Sequence, residues 1–195
     1  MARNPNRSDY HREEDEEMHA SPPLDLSFKN ARTINDLLNR AVQSTRVGKL
    51  PDLSVNERYL TSSLWLSNNV FSSCAGLDNL AKHFLEDPTE LRWLDLAYNR
   101  IGDLDDELLK FKNLTILYLH GNLLSDMKSI VKLRSLTNLR NLTLHGNPIE
   151  QMPAYRRYIV AILPWITNLD FSPVIDTEKK RALPTGFHKT VQVDL

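Results

Sequence analysis

Between residues 91 and 149 one arrangement of apolar and polar positions comes back three times. The segments LRWLDLAYNRI (91–101), LTILYLHGNLL (114–124) and LRNLTLHGNPI (139–149) all read L-x-x-L-x-L-x-x-N-x-L, with Ile allowed at the end. In an extended chain side chains alternate from face to face, so the fourth and sixth positions share a face. Leu94 and Leu96, Leu117 and Leu119, Leu142 and Leu144 therefore predict short strands, each with two leucines pointing inward. A less regular copy, TSSLWLSNNVF (61–71), keeps Leu64, Leu66 and Asn69, with Thr61 and Phe71 at its ends. After it, Leu77, Leu80, Ala81, Phe84 and Leu85 follow the spacing of one helical face, with Pro88 beyond. That spacing predicts an amphipathic helix returning the chain to the next strand. Leu104, Leu108 and Phe111 fill the next return, and Ile130, Leu133 and Leu136 the one after.

The pattern changes at both ends. Leu24, Leu26 and Phe28 alternate with Asp25 and Ser27 after Pro22-Pro23, which predicts a short strand. Residues 22–40 then read as a cover for the exposed edge of the first repeat, and 41–59 as a loop, giving an amino-terminal cap and loop over 22–59. Toward the other end, Pro153 and Pro164 bracket a helix whose buried stripe is Tyr155, Tyr158, Ile159 and Ile162. Ile166, Leu169 and Phe171 then take the first, fourth and sixth positions of one more strand phrase, with Val174 where its Asn should stand. Residues 153–172 are expected to form a carboxyl-terminal cap, and 173–195 a tail that is disordered or lies on the body. Residues 1–21, with the run Glu13 to Glu17, read as a disordered acidic tail.

Asn69, Asn99, Asn122 and Asn147 mark the ninth position of successive phrases, the last three separated by 23 and 25 residues. A Leu/Asn period of 20 to 29 residues is the mark of a leucine-rich repeat solenoid. The fold expected is α/β: four repeats over 60–152 plus caps, right-handed, with a parallel concave sheet and a helical or 3-10 convex side. Each Asn side chain offers an acceptor and donors to backbone groups where the strand turns away, so the four form a structural ladder.

The phrases resemble the short intracellular repeats of the yeast phosphatase regulator family, axonemal dynein light chain and the spliceosomal A-prime protein. GNPIEQMPAYRRYIVAILPWITNLD is similar to the carboxyl cap of that class. PPLDLSF, SLWLSNN, LYLHGN, LTLHGNP and YRRYIV together resemble one small cytoplasmic repeat family with no established enzymatic activity. That resemblance implies a protein-interaction module. It also implies two alternatives: a structural component of the ciliary axoneme or microtubule cytoskeleton, and an RNA-processing scaffold.

Charge and composition narrow the chemistry. The net charge of −1 gives no field to steer the chain to nucleic acid or anionic membrane. A single cysteine, Cys74, excludes a disulfide framework within the chain and suits a reducing compartment. No apolar run suggests a signal peptide or a bilayer span. The six glycines form no phosphate-binding loop, and no nucleophile elbow occurs. The acidic cluster Asp103, Asp105, Asp106 and Glu107 reads as a solvated face. The chain is accordingly expected to be no enzyme, with no catalytic residue, cofactor or metal. It is expected to be monomeric on its own, cytoplasmic, in a cilium or on the cytoskeleton in the narrower reading. Its expected partner is another protein, an axonemal or cytoskeletal one in that narrower reading, with no nucleic acid and no membrane.

The candidate site lies between the leucines. Positions three, five, seven and eight of the phrases place Trp65, Trp93, Asp95, Tyr98, Tyr118, His120 and His145 on the concave face. Buried interface anchors are enriched in Trp and Tyr. These seven residues are therefore the expected partner-binding set, unless the chain's own amino-terminal segment covers some of them. His120 and His145 share one position in successive repeats, but a metal site would need further ligands nearby.

Overall fold

The computed structural model describes residues 21–40, 42 and 48–191. The acidic run 13–17 lies outside the described residues. Seven strands make one sheet in sequence order: β1 (Leu24–Asp25), β2 (Ser63–Trp65), β3 (Trp93–Asp95), β4 (Ile116–Tyr118), β5 (Asn141–Thr143), β6 (Asn168–Leu169) and β7 (Ser172–Pro173). β1 to β6 are parallel, and β7 runs antiparallel to β6. The register puts Leu24, Leu64, Leu94, Leu117, Leu142 and Leu169 side by side. All six are buried, so one column of leucine runs the length of the solenoid. No single strand of two or three residues could hide its leucines alone; stacking neighbours hides them all.

The returns differ in form because their lengths and sequences differ. The first contains helix α1 (Leu77–Phe84), with Leu77, Leu80 and Ala81 buried. The second has a 3-10 turn at Leu108–Lys110. The third has α2 (Met127–Lys132), capped by the Asp126 carboxylate, which accepts from the Lys128 N–H at 2.9 Å. Helix α3 (Tyr155–Ile162) buries Tyr158, Ile159 and Ile162 of the expected stripe and Val160 besides, while Tyr155 is only partly buried.

Each Asn of the ladder joins its own repeat to the one before. The Asn122 Nδ2 donates to Leu119 O at 3.0 Å and to Leu96 O of the preceding repeat at 2.9 Å, while Oδ1 accepts from Ile101 N at 3.0 Å. Asn99 bonds Leu96 O, Leu66 O and Phe71 N in the same way. Asn147 bonds Leu144 O, Leu119 O and Leu124 N, and Asn69 bonds Leu66 O, Leu26 O and Ala31 N. All four side chains are buried, with their donors and acceptors spent on main-chain groups that water cannot reach.

Three details differ from the sequence expectation. The last strand phrase does not run on to Phe171. The chain reverses at Asp170 and Phe171, both with positive φ, and returns as β7. Phe171 is therefore 63% exposed instead of filling a core position. The described part of 41–59 is not featureless: Leu53 and Tyr59 bridge, and Tyr59 pairs with Leu85 at the end of α1. The acidic cluster is not merely solvated. Glu107 accepts from Gly76 N and Asp78 N at the start of α1, and Asp105 accepts from Cys74 N. These carboxylates sit where α1 leaves its N–H groups unsatisfied. Of the two courses expected for the tail, the described residues 173–191 take the second and pack back on the solenoid, through α4 (Asp176–Lys179) and α5 (Phe187–Val191). The Phe187 ring is buried and stacks on Tyr158 at 5.6 Å.

Candidate functional site: an aromatic row on the concave face

Strand geometry sends positions three, five and seven of each phrase to the face opposite the leucines. Six of the seven expected residues form one connected set of rings there. Trp65 meets Trp93 edge-on at 5.1 Å, and Trp93 meets Tyr118 at 5.8 Å. Tyr118 meets His120 at 6.0 Å, and His120 stacks on His145 at 4.6 Å with an 8° interplanar angle. Tyr98 stands edge-on to His120 at 5.0 Å. Asp95, the seventh, is the buried carboxylate among them, 8% exposed, and accepts from Ala97 N at 3.0 Å.

Phe171 completes the set. From the turn between β6 and β7 its ring reaches Tyr118 at 5.5 Å, His145 at 5.7 Å and His120 at 5.8 Å. Its position in the strand phrase predicts core, so the sequence hides this role. The available signal was Asp170-Phe171-Ser172-Pro173: a proline soon after a short strand marks an edge or a turn. Between Phe171 and Tyr118 lies a cavity of about 220 Å³, walled by Asn141, Thr143 and Asn168. A larger hollow of about 370 Å³ lies against α3 and α4, by Tyr155, Arg156, Glu178 and Arg181. There Arg156 is already engaged by Glu178, Leu169 O and Pro173 O, which serves the cap.

Asp170 anchors the turn. Its Oδ1 accepts from Leu144 N at 2.6 Å and His145 N at 2.9 Å, and its Oδ2 accepts from the Tyr155 hydroxyl at 2.9 Å. In earlier repeats the sixth-position N–H donates to a carbonyl of the following strand, as Leu119 N does to Thr143 O. Where the sheet turns back, the Asp170 carboxylate takes that carbonyl's place. Burial first, then the Asp170 charge, holds the Tyr155 phenol well above its usual value.

The electrostatics of the face favour the neutral forms of His120 and Tyr118. Burial, and then the charge of His145, lowers the His120 pKa, against the opposing pull of Asp95 and Asp170. The His120 Nδ1 lies 2.8 Å from Thr143 Oγ1. Burial and then Asp95 raise the Tyr118 pKa. The Trp93 Nε1 is buried, and none of the described residues accepts from it. Burial pushes the Cys74 thiol up to about 12, which keeps it protonated and inert. Among the described residues no group of three His, Cys, Asp or Glu side chains is placed to hold a metal ion.

A family model described as Leucine-rich repeat matches residues 61–192. Leucine-rich repeat-containing protein 51 of Macaca mulatta is 42% identical over 162 residues, and that of Homo sapiens 41%, covering 83% of each chain. The chain belongs to the leucine-rich repeat-containing protein 51 family. More distantly, U2 small nuclear ribonucleoprotein A' of Yarrowia lipolytica is 43% identical over 54 residues, 28% of this chain and 24% of that protein. Among solved structures, one in the Drosophila melanogaster SNF/U2A' complex superposes with a TM-score of 0.56 at 22% identity, covering 77% of this chain and 89% of that one. That likeness is one of fold. In this member of the leucine-rich repeat-containing protein 51 family, the concave rings stand on the face opposite the leucine column.

Proposed function

We propose that the chain is a non-catalytic protein-interaction module that binds a segment of another protein on its concave face. The observation that carries this reading is the connected run of seven rings, from Trp65 to His145 and Phe171, at positions the solenoid core does not use. Half-buried Trp and Tyr side chains bring large apolar area and a polar edge at little conformational cost, the profile of interface anchors. The RNA-scaffold alternative has less support. Positions three, five and seven of β1 to β6 carry Asp25, Asp95 and Asp170 and no Lys or Arg, the wrong sign for a phosphate backbone.

The test replaces Trp93 and Tyr118 together with Ala and compares co-purifying proteins with those of the wild type, at matched thermal stability. Loss of specific partners from the variant supports the reading; an unchanged partner set refutes it. For the site of action we propose the cytoplasm, with the ciliary axoneme or microtubule cytoskeleton as the narrower reading, on the likeness of the phrases to axonemal repeats. A tagged chain extracted completely by mild detergent would count against the axoneme.

A further inference from the structure

The chain carries a net charge of −1, yet Lys179-Lys180-Arg181 brings three cations together in the carboxyl-terminal segment. The structure sets that run against the cap. α4 packs on α3, and Arg156 of α3 holds it there, its Nε donating to Glu178 Oε1 at 2.6 Å. The Glu178 Oε2 accepts from Arg156 Nη2 at 3.2 Å and from Ile175 N at 3.1 Å. The bond from Arg156, first of all, holds the Glu178 carboxyl below its usual value, so it stays charged. Both of its oxygens, and the Arg156 guanidinium, are therefore spent inside the cap.

Arg157 and Arg181 are differently placed. Arg157 is exposed and commits only Nη2, to Ala182 O at 2.6 Å and Leu183 O at 3.5 Å. Arg181 is exposed, and its side chain makes no hydrogen bond or ion pair among the described residues; its charge bears on Glu178 through space. Both line the hollow of about 370 Å³ between α3 and α4. The lining holds three arginines against one glutamate, and the glutamate is already paired. Part of the wall is aliphatic: Val160 is buried there. Ile175 and Leu183, both large, apolar and exposed, stand beside lining residues, through Ile175 N on Glu178 and Leu183 O on Arg157. A guanidinium fork with unspent donors matches a carboxylate in shape and charge. The aliphatic wall next to it matches an apolar side chain on the same ligand. A nucleic-acid strand calls instead for a row of cations with stacking rings between them.

We propose that the hollow between α3 and α4 is a second docking site, for an acidic segment of a partner protein that carries an aliphatic residue beside its carboxylate. The carboxylate pairs with Arg157 and Arg181, and the aliphatic side chain enters over Val160. This surface lies at the capped end of the solenoid. It shares no lining residue with the cavity between Tyr118 and Phe171, so it stands whether or not the concave face binds.

The experiment titrates the full chain into fluorescein-labelled Glu-Leu-Asp-Leu-Glu and its neutral counterpart Gln-Leu-Asn-Leu-Gln, and reads fluorescence anisotropy. The acidic peptide is expected to bind saturably, about tenfold or more tightly than the neutral one, and more weakly as salt rises. Replacing its leucines with serine is expected to weaken it as well. Arg181→Gln removes a charge without removing a hydrogen bond of the fold, and is expected to weaken the acidic peptide about threefold or more. Lys128→Gln takes an equal charge from exposed α2 and is expected to change nothing. Adding Arg157→Gln to Arg181→Gln should deepen the loss. Arg157 also holds the Ala182 carbonyl, so Arg181→Gln alone carries the decision. Absence of saturable binding, equal binding of acidic and neutral peptides, or equal effects of Arg181→Gln and Lys128→Gln overturns the inference. A short uridine RNA that binds more tightly than the peptide, and is lost with Arg181→Gln, overturns the assignment to a protein segment. The chain's own Glu13, Glu14, Asp15, Glu16 and Glu17 are the competing occupants. If changing all five to their amides in the full chain tightens binding of the acidic peptide, the assignment to a partner is overturned.

Discussion

The eighth position of the phrase is left-handed in every repeat. Phe28, Asn68, Tyr98, Gly121 and Gly146 have φ of 58°, 57°, 54°, 68° and 70°. Gly and Asn are the usual residents of such backbone; Phe and Tyr are not. Tyr98 holds this conformation with its ring 56% exposed, over Gly121 and against His120. A Cβ on Gly121 would stand 2.7 Å from that ring. Gly121→Ala is expected to cost about 1–2 kcal/mol for the backbone alone, and more for the displaced ring. Denaturant unfolding checks this, and combining it with Tyr98→Ala should recover part of the loss. Additive losses would show that ring and glycine do not interact. Asn122→Ala should cost about 1–3 kcal/mol, because two carbonyls and one N–H lose their partner inside the core. Equal melting temperatures would contradict the ladder. The ladder was legible because an Asn at a fixed place after two inward leucines has one job to do. The left-handed column was not, because Tyr98 shows its backbone only through the glycine beneath its ring.

At the scale of elements, the end of the sheet carries the most consequence. An open sheet edge invites pairing with other chains, and a terminal repeat must close it. This chain closes it with a two-residue reversal at Asp170 and Phe171, both left-handed as a tight hairpin turn requires. Asp-Phe lacks the Asn-Gly signature, and Ile166, Leu169 and Phe171 fit the strand phrase, so the periodic pattern ran one position too far. Asp170 supports the turn through Leu144 N, His145 N and the Tyr155 hydroxyl. Asp170→Ala is expected to cost about 1.5–3 kcal/mol and to release Phe171 from its rings. Tyr155→Phe should cost less, and the double variant less than the sum. Full additivity in a denaturation cycle would mean that the hydroxyl and carboxylate are not coupled. The helices were easier to read. Leu77 to Leu85 and the prolines around α3 act locally, whereas Glu107 capping α1 from the next repeat is a tertiary contact that no local pattern carries.

Over the whole molecule, core and face divide the chain between them. Leucines and asparagines build a continuous column, and the rings occupy the surface left over. That division makes the face sensitive to pH. The folded chain protonates His120 less readily than the unfolded chain does. Stability from this group is complete above the unfolded value of about 6.5 and falls as pH drops toward the lower folded value. Below that value nothing further is lost. Denaturation midpoints from about pH 7.5 to about pH 5 should therefore decline, and His120→Asn should flatten part of that decline. An unchanged slope in the variant would remove His120 from the account. The central claim is that the concave rings, and not the convex helices, meet the partner. A photo-cross-linking residue placed at Tyr118, and in a second sample at exposed Lys128 of α2, tests it directly in extract from cells that express the chain. We expect a discrete cross-linked species from position 118, none from 128, and loss of the product when Trp93→Ala is added. A product from 128 with none from 118 would contradict the claim.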